Sequence, residues 1–322
     1  MRLVINAGSS TLKTALFPEP LTETAVFRGQ VEWGIAVDEQ FLELMGQIEG
    51  EVTHVGHRVV HGGTRFTAPT PICDTVLAEI RELSHLATLH NPLNVKGIEL
   101  ARRAFPDAHH YAVFDTAFHT TLPDAASTYP LPKEWRELGV RRYGFHGISH
   151  QAIAETFPTC KRLISCHLGN GCSLAAIAEG RCLETTMGFT PLEGLMMGIR
   201  PGSLDPAIPL FLLNHESAEE IHRKLHHESG LKGIAGTHDM RTLLSRNDPE
   251  AHLALDMFCH RLSLAVGSFL PLLGGLDLLT FTGGIGENTP LIHNRLRDAL
   301  SFLDFVVKIV PSKEEFFIAG QA

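Results

Sequence analysis

Short hydrophobic runs, each followed by a turn of small residues, divide the chain into predicted strands. The run RLVINAGSSTLKTALF begins at Arg2, and RLISCHLGNGCSLAAIAEG begins at Arg162, 160 residues later. Each run has the pattern of a strand, a glycine-rich turn and a second strand, which is typical of a β-hairpin. The two runs indicate either an internal repeat of about half the chain or two unrelated hairpins.

A third glycine-rich segment, GGIGEN at residues 283–288, follows an apolar strand. We expect it to be a loop, after which Pro290 occupies the first position of a helix. Ile292 and Leu296 lie at helical spacing in that segment, which predicts one buried face. Strands, glycine turns and helices alternate along the whole chain, so the predicted class is α/β.

Composition favours a folded chain of two domains. The 322 residues are 44% hydrophobic and 20% charged, with a net charge of −9 that disfavours nucleic acid and anionic membranes as partners. The uncharged apolar stretch 262–276 contains Pro271, Gly274 and Gly275 and is shorter than the roughly 20 residues of a membrane span. Six cysteines without a CxxC pair predict free thiols and a cytoplasmic protein.

The common phosphate-binding motifs are absent from the sequence. No Gly-Lys dipeptide occurs, which excludes a P-loop, and GGIGEN does not fit the dinucleotide pattern GxGxxG. Arg58 and Arg200, however, lie among small uncharged residues, where a guanidinium suits a carboxylate or phosphate ligand or an internal salt bridge. Asp115 follows the apolar strand YAVF, a position typical of either a ligand-binding group or a turn cap.

Ten short motifs in one order resemble the acetate kinase family of kinases that form acyl phosphates. Among them are NAGSSTLK, GHRVVHGG, FDTAFHTTLP, RRYGFHGISH, CHLGNGCSLAAI, TTMGFTPLEGLMMGIRPGSLDP and FTGGIGEN. The resemblance covers the first 17 residues and most of residues 52–288. It implies two duplicated actin-like (ribonuclease H-like) α/β domains with a central interdomain cleft, in agreement with an internal repeat.

The resemblance also implies domain limits and a reaction. We expect an N-terminal domain over residues 1–119 and a nucleotide-binding C-terminal domain over residues 120–322, whose last residues return to the first domain. The implied reaction is reversible transfer of the γ-phosphoryl group of ATP to acetate, giving acetyl phosphate and ADP, with Mg²⁺ or Mn²⁺. The implied enzyme is a cytoplasmic homodimer without a nucleic-acid or membrane partner.

Matching motif positions carry over the family's site residues. The catalytic residues implied by the resemblance are Arg58, Asp115, His146 and Arg200. Asn6 and Glu314 would hold the metal and its waters. The alkyl group of the acid would contact a small apolar pocket formed by Val60, Leu89, Phe145 and Pro191.

The implied nucleotide site combines two phosphate turns with an adenosine site. The first turn would be lined by Ser9, Ser10, Thr11 and Lys13, and the second by His167, Asn170 and Gly171. The adenosine would contact Asp239, Met240, Arg241, Gly284, Ile285, Gly286 and Asn288.

The proposed chemistry explains why such a site needs cations and no general base. A carboxylate nucleophile has a reference pKa near 4 and is ionised at pH 7, so catalysis is positioning and charge neutralisation. Asp115 is therefore expected to orient Arg58 or a metal-bound water. The alternatives left open are a propionate or butyrate kinase and a catalytically impaired nucleotide-binding regulator. The resemblance further implies that the closing helix after Glu314 is lost and that Pro201 replaces a serine.

Overall fold

The computed structural model of the protein describes residues 1–8 and 10–322, so the predicted phosphate-turn residue Ser9 lies outside the described residues. The strands are β1 (Arg2–Ala7), β2 (Thr11–Phe17), β3 (Phe27–Glu32), β4 (His54–Val59), β5 (Thr70–Pro71), β6 (His109–Phe114), β7 (Leu163–Leu168), β8 (Cys172–Ala178), β9 (Arg181–Thr185), β10 (Leu278–Thr282) and β11 (Val306–Ile309). The helices are α1 (Val37–Met45), α2 (Asp74–Glu82), α3 (Asn91–Ala104), α4 (Asp124–Ser127), α5 (Lys133–Glu137), α6 (Gly147–Thr156), α7 (Ala207–Leu212), α8 (Ala218–His227), α9 (Gly230–Ala235), α10 (Met240–Ser245), α11 (Pro249–Leu273), α12 (Gly283–Asn288), α13 (Pro290–Ala299) and α14 (Glu314–Gln321).

The chain forms two compact units. Unit 1 comprises residues 1–120, 146–152 and 313–322, and unit 2 comprises residues 121–145 and 153–312. A single boundary after residue 119 therefore misplaces residues 146–152. They belong to unit 1 because the Gly147 N–H donates to the Asp115 carbonyl at 2.8 Å and Ile148 packs among Val4 and Val113.

Unit 1 is built on a mixed sheet with the strand order β3-β2-β1-β4-β6-β5. β1 pairs antiparallel with β2 and parallel with β4, and β4 pairs parallel with β6. Alternation along β1 sends Leu3 and Ile5 into one core, and Val4 into another core that also contains Ile318 of α14. Both faces of β1 are therefore covered.

Unit 2 is built on a second mixed sheet with the strand order β11-β10-β7-β8-β9. β7 pairs antiparallel with β8 and parallel with β10, and β10 pairs parallel with β11. The first strands of the two units thus have the same neighbours with the same directions, which confirms the predicted repeat and the α/β class. The hairpins read from the sequence are β1–β2 and β7–β8.

The longest helix, α11, is apolar and long enough to cross a membrane by length and composition. In unit 2 it packs against α9, α13 and β8, and it buries a face that includes Phe258, Leu262 and Phe269. Such contacts are those of a core helix, as expected for the stretch 262–276.

One segment differs from its predicted structure. GGIGEN is predicted to be a loop but forms the short helix α12, whose first residue, Gly283, has a φ of 81°. At the C-terminal end of the chain, residues Glu314–Gln321 form α14 of unit 1, whose Ile318 and Ala319 are buried; the expected loss of the family's closing helix stays a prediction. Their burial explains why so short a C-terminal segment is ordered as a helix.

Candidate functional site

Three parallel strands of unit 1 bring a group of polar side chains to one edge of the sheet. Asn6 on β1 lies beside Arg58 on β4, and Asp115 directly follows β6. Arg58 donates to Asp115 Oδ2 from Nε at 3.0 Å and from Nη2 at 2.5 Å, and to Asn6 Oδ1 from Nη1 at 3.2 Å. The structure therefore brings these three predicted residues together and gives Asp115 the contact expected of a residue that orients Arg58.

Carboxylates hold Arg58 in its charged form. Burial opposes the charge, but Asp115 and then Glu314 outweigh it and raise the pKa of Arg58 above its usual value. Asp115 is only 2% exposed, whereas the Arg58 side chain is 20% exposed. The guanidinium thus keeps an open side, with its orientation set by a buried acceptor.

His146 and Gly147 lie beside Asp115 at the start of α6. His146 is half-buried and has a φ of 56°, a left-handed conformation that is uncommon for residues other than glycine. A Cβ at Gly147 would collide with the Asp115 carbonyl, so this position requires glycine. The local backbone is held in a strained form where the sequence predicts a catalytic histidine.

The remaining predicted residues of unit 1 differ in their exposure. Val60 is buried, and its N–H donates to Asn94 Oδ1 at 3.0 Å, while Leu89 is 40% exposed. Lys13 on β2 is exposed, as is Ser10, and Thr11 is half-buried.

Asn91 and Asn94, both on α3, are positioning residues that the sequence analysis missed. Asn94 accepts from Val60 and donates from Nδ2 to the Ala7 carbonyl at 2.8 Å, and so links the ends of β1 and β4. Asn91 accepts from the His61 N–H at 3.1 Å and donates to the His61 carbonyl at 3.0 Å. Both are buried. The signal available was the pair of asparagines in LHNPLN, around a proline that suits the first turn of a helix.

In unit 2 the predicted phosphate turn lies against the GGIGEN helix. His167 is the last residue of β7 that pairs with β10, where it lies opposite Thr282. The turn after β7 contains Asn170 and Gly171. An added Cβ at Gly286 would lie 3.5 Å from the Leu168 side chain, so α12 sits close to this turn. Gly284 and Asn288 are exposed and Ile285 is half-buried. The predicted second phosphate turn and this part of the predicted adenosine site are therefore neighbours.

Asp239, Met240 and Arg241 form the start of α10. Asp239 caps the helix by accepting from the Arg241 N–H at 3.1 Å, and the Arg241 side chain lowers the pKa of this carboxyl. Met240 is buried and the Arg241 side chain is 91% exposed. Capping accounts for Asp239 structurally, and its predicted contact with adenosine remains a prediction.

Arg200 differs from Arg58 in its partners. Its Nη1 donates to the Pro191 carbonyl at 3.3 Å, while its buried Nε has no hydrogen-bond partner. Within the described part of the chain, no carboxylate is ion-paired with Arg200, and burial lowers its pKa. This cation is thus partly withdrawn from water without a paired carboxylate, which makes it a candidate anion-binding group.

The chain is similar to known proteins over most of its length. The model of the Acetokinase family matches residues 42–315. The acetate kinase of Protochlamydia amoebophila (strain UWE25) is 42% identical, over 94% of this chain and 87% of that protein. A Porphyromonas gingivalis acetate kinase structure is 30% identical with a TM-score of 0.89, over 99% of this chain and 98% of that one. A Francisella tularensis propionate kinase structure is 32% identical with a TM-score of 0.87 and the same coverage.

Proposed function

Because the chain belongs to the Acetokinase family, we propose that it transfers the γ-phosphoryl group of ATP to acetate and so forms acetyl phosphate and ADP. The single observation that carries the proposal is the half-buried Arg200, a cation without a carboxylate partner among residues 1–8 and 10–322. An acyl phosphate and its transition state supply the negative charge that this position lacks.

The reaction itself needs little from side-chain acids and bases. The acetate oxygen attacks the γ-phosphorus, and the bond between that phosphorus and the bridging oxygen breaks, leaving its electron pair on ADP. Arg58, oriented by Asp115, and Arg200 neutralise charge on the acid and on the transferring group. His146 is proposed to donate a hydrogen bond to the same group. Asp115 is occupied by Arg58 and is not proposed as a base.

Asn6 and Glu314 fit the proposed role of metal-binding residues. Both supply oxygen donors, which Mg²⁺ prefers, and a set of only two protein donors leaves room for several waters. Asn6 Oδ1 accepts from Arg58, and the carboxylate of Glu314 is near enough to raise the pKa of Arg58. When bound, Mg²⁺ or Mn²⁺ would neutralise charge on the phosphates of ATP.

The proposed nucleotide site lies in unit 2. The phosphates would contact the turn with His167, Asn170 and Gly171. The adenosine would meet Gly284, Ile285, Gly286 and Asn288 of α12 together with Asp239, Met240 and Arg241. Support comes from the closeness of α12 to the turn after β7.

The acid site is proposed to contain Val60, Leu89, Phe145 and Pro191. Val60 and Phe145 are buried apolar residues, and the Pro191 carbonyl accepts a hydrogen bond from Arg200, which keeps this proline close to the cation. Leu89, at 40% exposure, is the least enclosed of the four. A propionate kinase is the second candidate, favoured by the likeness to the Francisella tularensis enzyme.

A homodimer in the cytoplasm completes the proposal. Unit 2 exposes apolar side chains on and after α7, namely Ile208, Leu210, Phe211 and Leu213. A solvent-exposed cluster of this kind suits a protein interface. In the described part of the chain the cysteines form no disulfide, as is usual in a reducing compartment. Light scattering of the purified protein would measure the oligomeric state directly.

The test of the function is acyl-phosphate formation from ATP, Mg²⁺ and acetate, trapped with hydroxylamine. We expect turnover in the wild type and its loss in Arg200→Ala. Arg246→Ala is a matched control, because Arg246 of unit 2 is engaged by both oxygens of Asp248, at 2.7 and 2.8 Å. ATP binding without turnover in the wild type would contradict the proposal and favour a regulator.

A further inference from the structure

Residues 186–203, which we term the arginine loop, lead from β9 to the region before α7 and contain both Pro191 and Arg200. The second half of this loop is closed on itself. The Ser203 N–H donates to the Gly194 carbonyl at 2.9 Å, and the Gly194 N–H donates to Ser203 Oγ at 3.1 Å. The backbone next to Arg200 is also held from α9, because the Ser229 N–H donates to the Ile199 carbonyl at 3.1 Å and the Leu231 N–H donates to the Met197 carbonyl at 2.9 Å. The Arg200 guanidinium, in contrast, donates to the first half of the loop, at the Pro191 carbonyl, and its orientation therefore depends on how that half is held.

Arg142 fixes the point where the chain leaves β9. Its Nη1 donates to the carbonyls of Thr185, Thr186 and Met187 at 3.0, 3.3 and 3.3 Å. Its Nη2 donates to Glu193 Oε1 at 2.9 Å. One side chain thus connects three successive carbonyls, from the end of β9 into the loop, to a carboxylate six residues beyond Met187.

Tyr129 completes this connection. Its hydroxyl accepts from the Phe189 N–H at 2.9 Å and donates to the Glu193 carboxylate. A Cβ at Gly188 would collide with both the Glu193 carboxylate and the Tyr129 hydroxyl. The two groups therefore lie directly against the backbone of the loop, and Gly188 provides the space.

We propose that Tyr129, Arg142 and Glu193 form a positioning cluster that sets the arginine loop, and through it Pro191 and Arg200, for phosphoryl transfer. The inference rests on the proposed function for the meaning of Arg200. It assigns the cluster no contact with substrate. The connection to the site runs through the loop itself, because Arg200 Nη1 donates to the Pro191 carbonyl, two residues before Glu193.

The polar composition of the cluster supports positioning over simple packing. Apolar side chains of the same volume would fill the space without the cost of desolvating an arginine and a carboxylate. They would not, however, hold four backbone groups at fixed distances, as Arg142 and Tyr129 do. Both terminal nitrogens of Arg142 are hydrogen-bonded, and its Nε lies 3.7 Å from Glu184 Oε1, and hydrogen-bonded networks of this kind rigidify a local structure.

Tyr129→Phe is the sharpest test, because it removes one hydroxyl and keeps the ring. Tyr143→Phe is the matched control, since the Tyr143 hydroxyl donates to the Gly139 carbonyl outside the loop. We expect Tyr129→Phe to lower kcat about tenfold, with KM for ATP within about twofold of the wild type. Amide hydrogen exchange of residues 186–203 should become about tenfold faster, while β7 and β8 keep their protection. The control should change neither quantity.

Arg142→Lys provides a second variant that keeps the charge. An ammonium lacks the planar fork that joins the three carbonyls to Glu193, so we expect a loss of kcat at least as large. The proposal is overturned if Tyr129→Phe and Tyr143→Phe have equal kcat and equal loop exchange. It is also overturned if the loss of kcat is accompanied by faster exchange throughout unit 2. A wild type without turnover would refute the function, and loop exchange would then decide the positioning role alone.

Discussion

Replacing Arg200 by methionine should stabilise the unliganded protein while it abolishes turnover. The substitution removes a cation whose buried Nε has no hydrogen-bond partner, and an unsatisfied buried group costs about 1–3 kcal/mol. Against this gain stands one long hydrogen bond to the Pro191 carbonyl, with a net contribution of about 1 kcal/mol. We therefore expect Arg200→Met to raise the free energy of unfolding by about 1 kcal/mol and Tm by about 2–4 °C. Loss of the charge at the transferring group should lower kcat by a factor of about 10³ or more.

The assay is thermal unfolding in the absence and presence of acetyl phosphate, alongside trapped acyl phosphate. Acetyl phosphate should raise Tm of the wild type and have a smaller effect on the variant, because the ligand binds the folded state through Arg200. Arg246→Met is the control and should lower Tm, since it leaves Asp248, the cap of α11, without its guanidinium. A variant Arg200→Met that unfolds at a lower temperature than the wild type would refute the reasoning and make Arg200 a structural residue.

Three further predictions concern unit 1. Asp115→Asn removes the charge that orients Arg58 and should lower kcat at least about tenfold in the hydroxylamine assay. Retention of most of the turnover would show that the role of Asp115 is minor. Val60→Ala should raise kcat/KM for propionate relative to acetate, within the roughly 1–3 kcal/mol that one methylene contributes, and no gain in steady-state rates would remove Val60 from the acid pocket. Burial lowers the pKa of His61 from 6.5 to about 4, so the unfolded state binds more protons between these values. The contribution of His61 to the free energy of unfolding is therefore full above pH 6.5 and falls by about 3 kcal/mol toward pH 4. His61→Asn should make this fall smaller, as measured by urea unfolding midpoints, whereas the exposed control His215→Asn should leave it unchanged.

Most of the sheet architecture could be predicted because strand signals are local. Alternation in β1 and the small-residue turn after it are visible in a dozen residues, and the second hairpin repeats them. The helix formed by GGIGEN was not predicted, because three glycines in six residues disfavour a helix. The helix forms there through contacts that the sequence does not reveal, such as the bond from the Gly283 N–H to Glu287 Oε1 at 3.0 Å.

The sequence predicted the charged residues of the candidate site, but not the buried polar residues that position them. Strand ends identified Asp115, and small-residue surroundings identified Arg58 and Arg200. The buried asparagines Asn91 and Asn94 were missed because helical spacing alone does not say which polar residue of a helix faces a strand end. Which side chains touch across a fold is decided by tertiary packing, and a single sequence does not contain that information directly.

In the sequence, Arg58 and Arg200 were equivalent candidates, each able to form a salt bridge or to bind an anion. The structure separates them. Arg58 is bound by Asp115, so its charge is largely compensated before any ligand arrives and its geometry is fixed. Arg200 has a single carbonyl contact and a charge that burial makes unfavourable. An anion that binds Arg200 therefore offsets an unfavourable charge that the folded protein already carries. Arg58, in contrast, presents a guanidinium whose orientation is fixed before the anion binds. A site that grips a transferring phosphoryl group benefits from both, because one arginine supplies orientation and the other supplies the larger gain on binding.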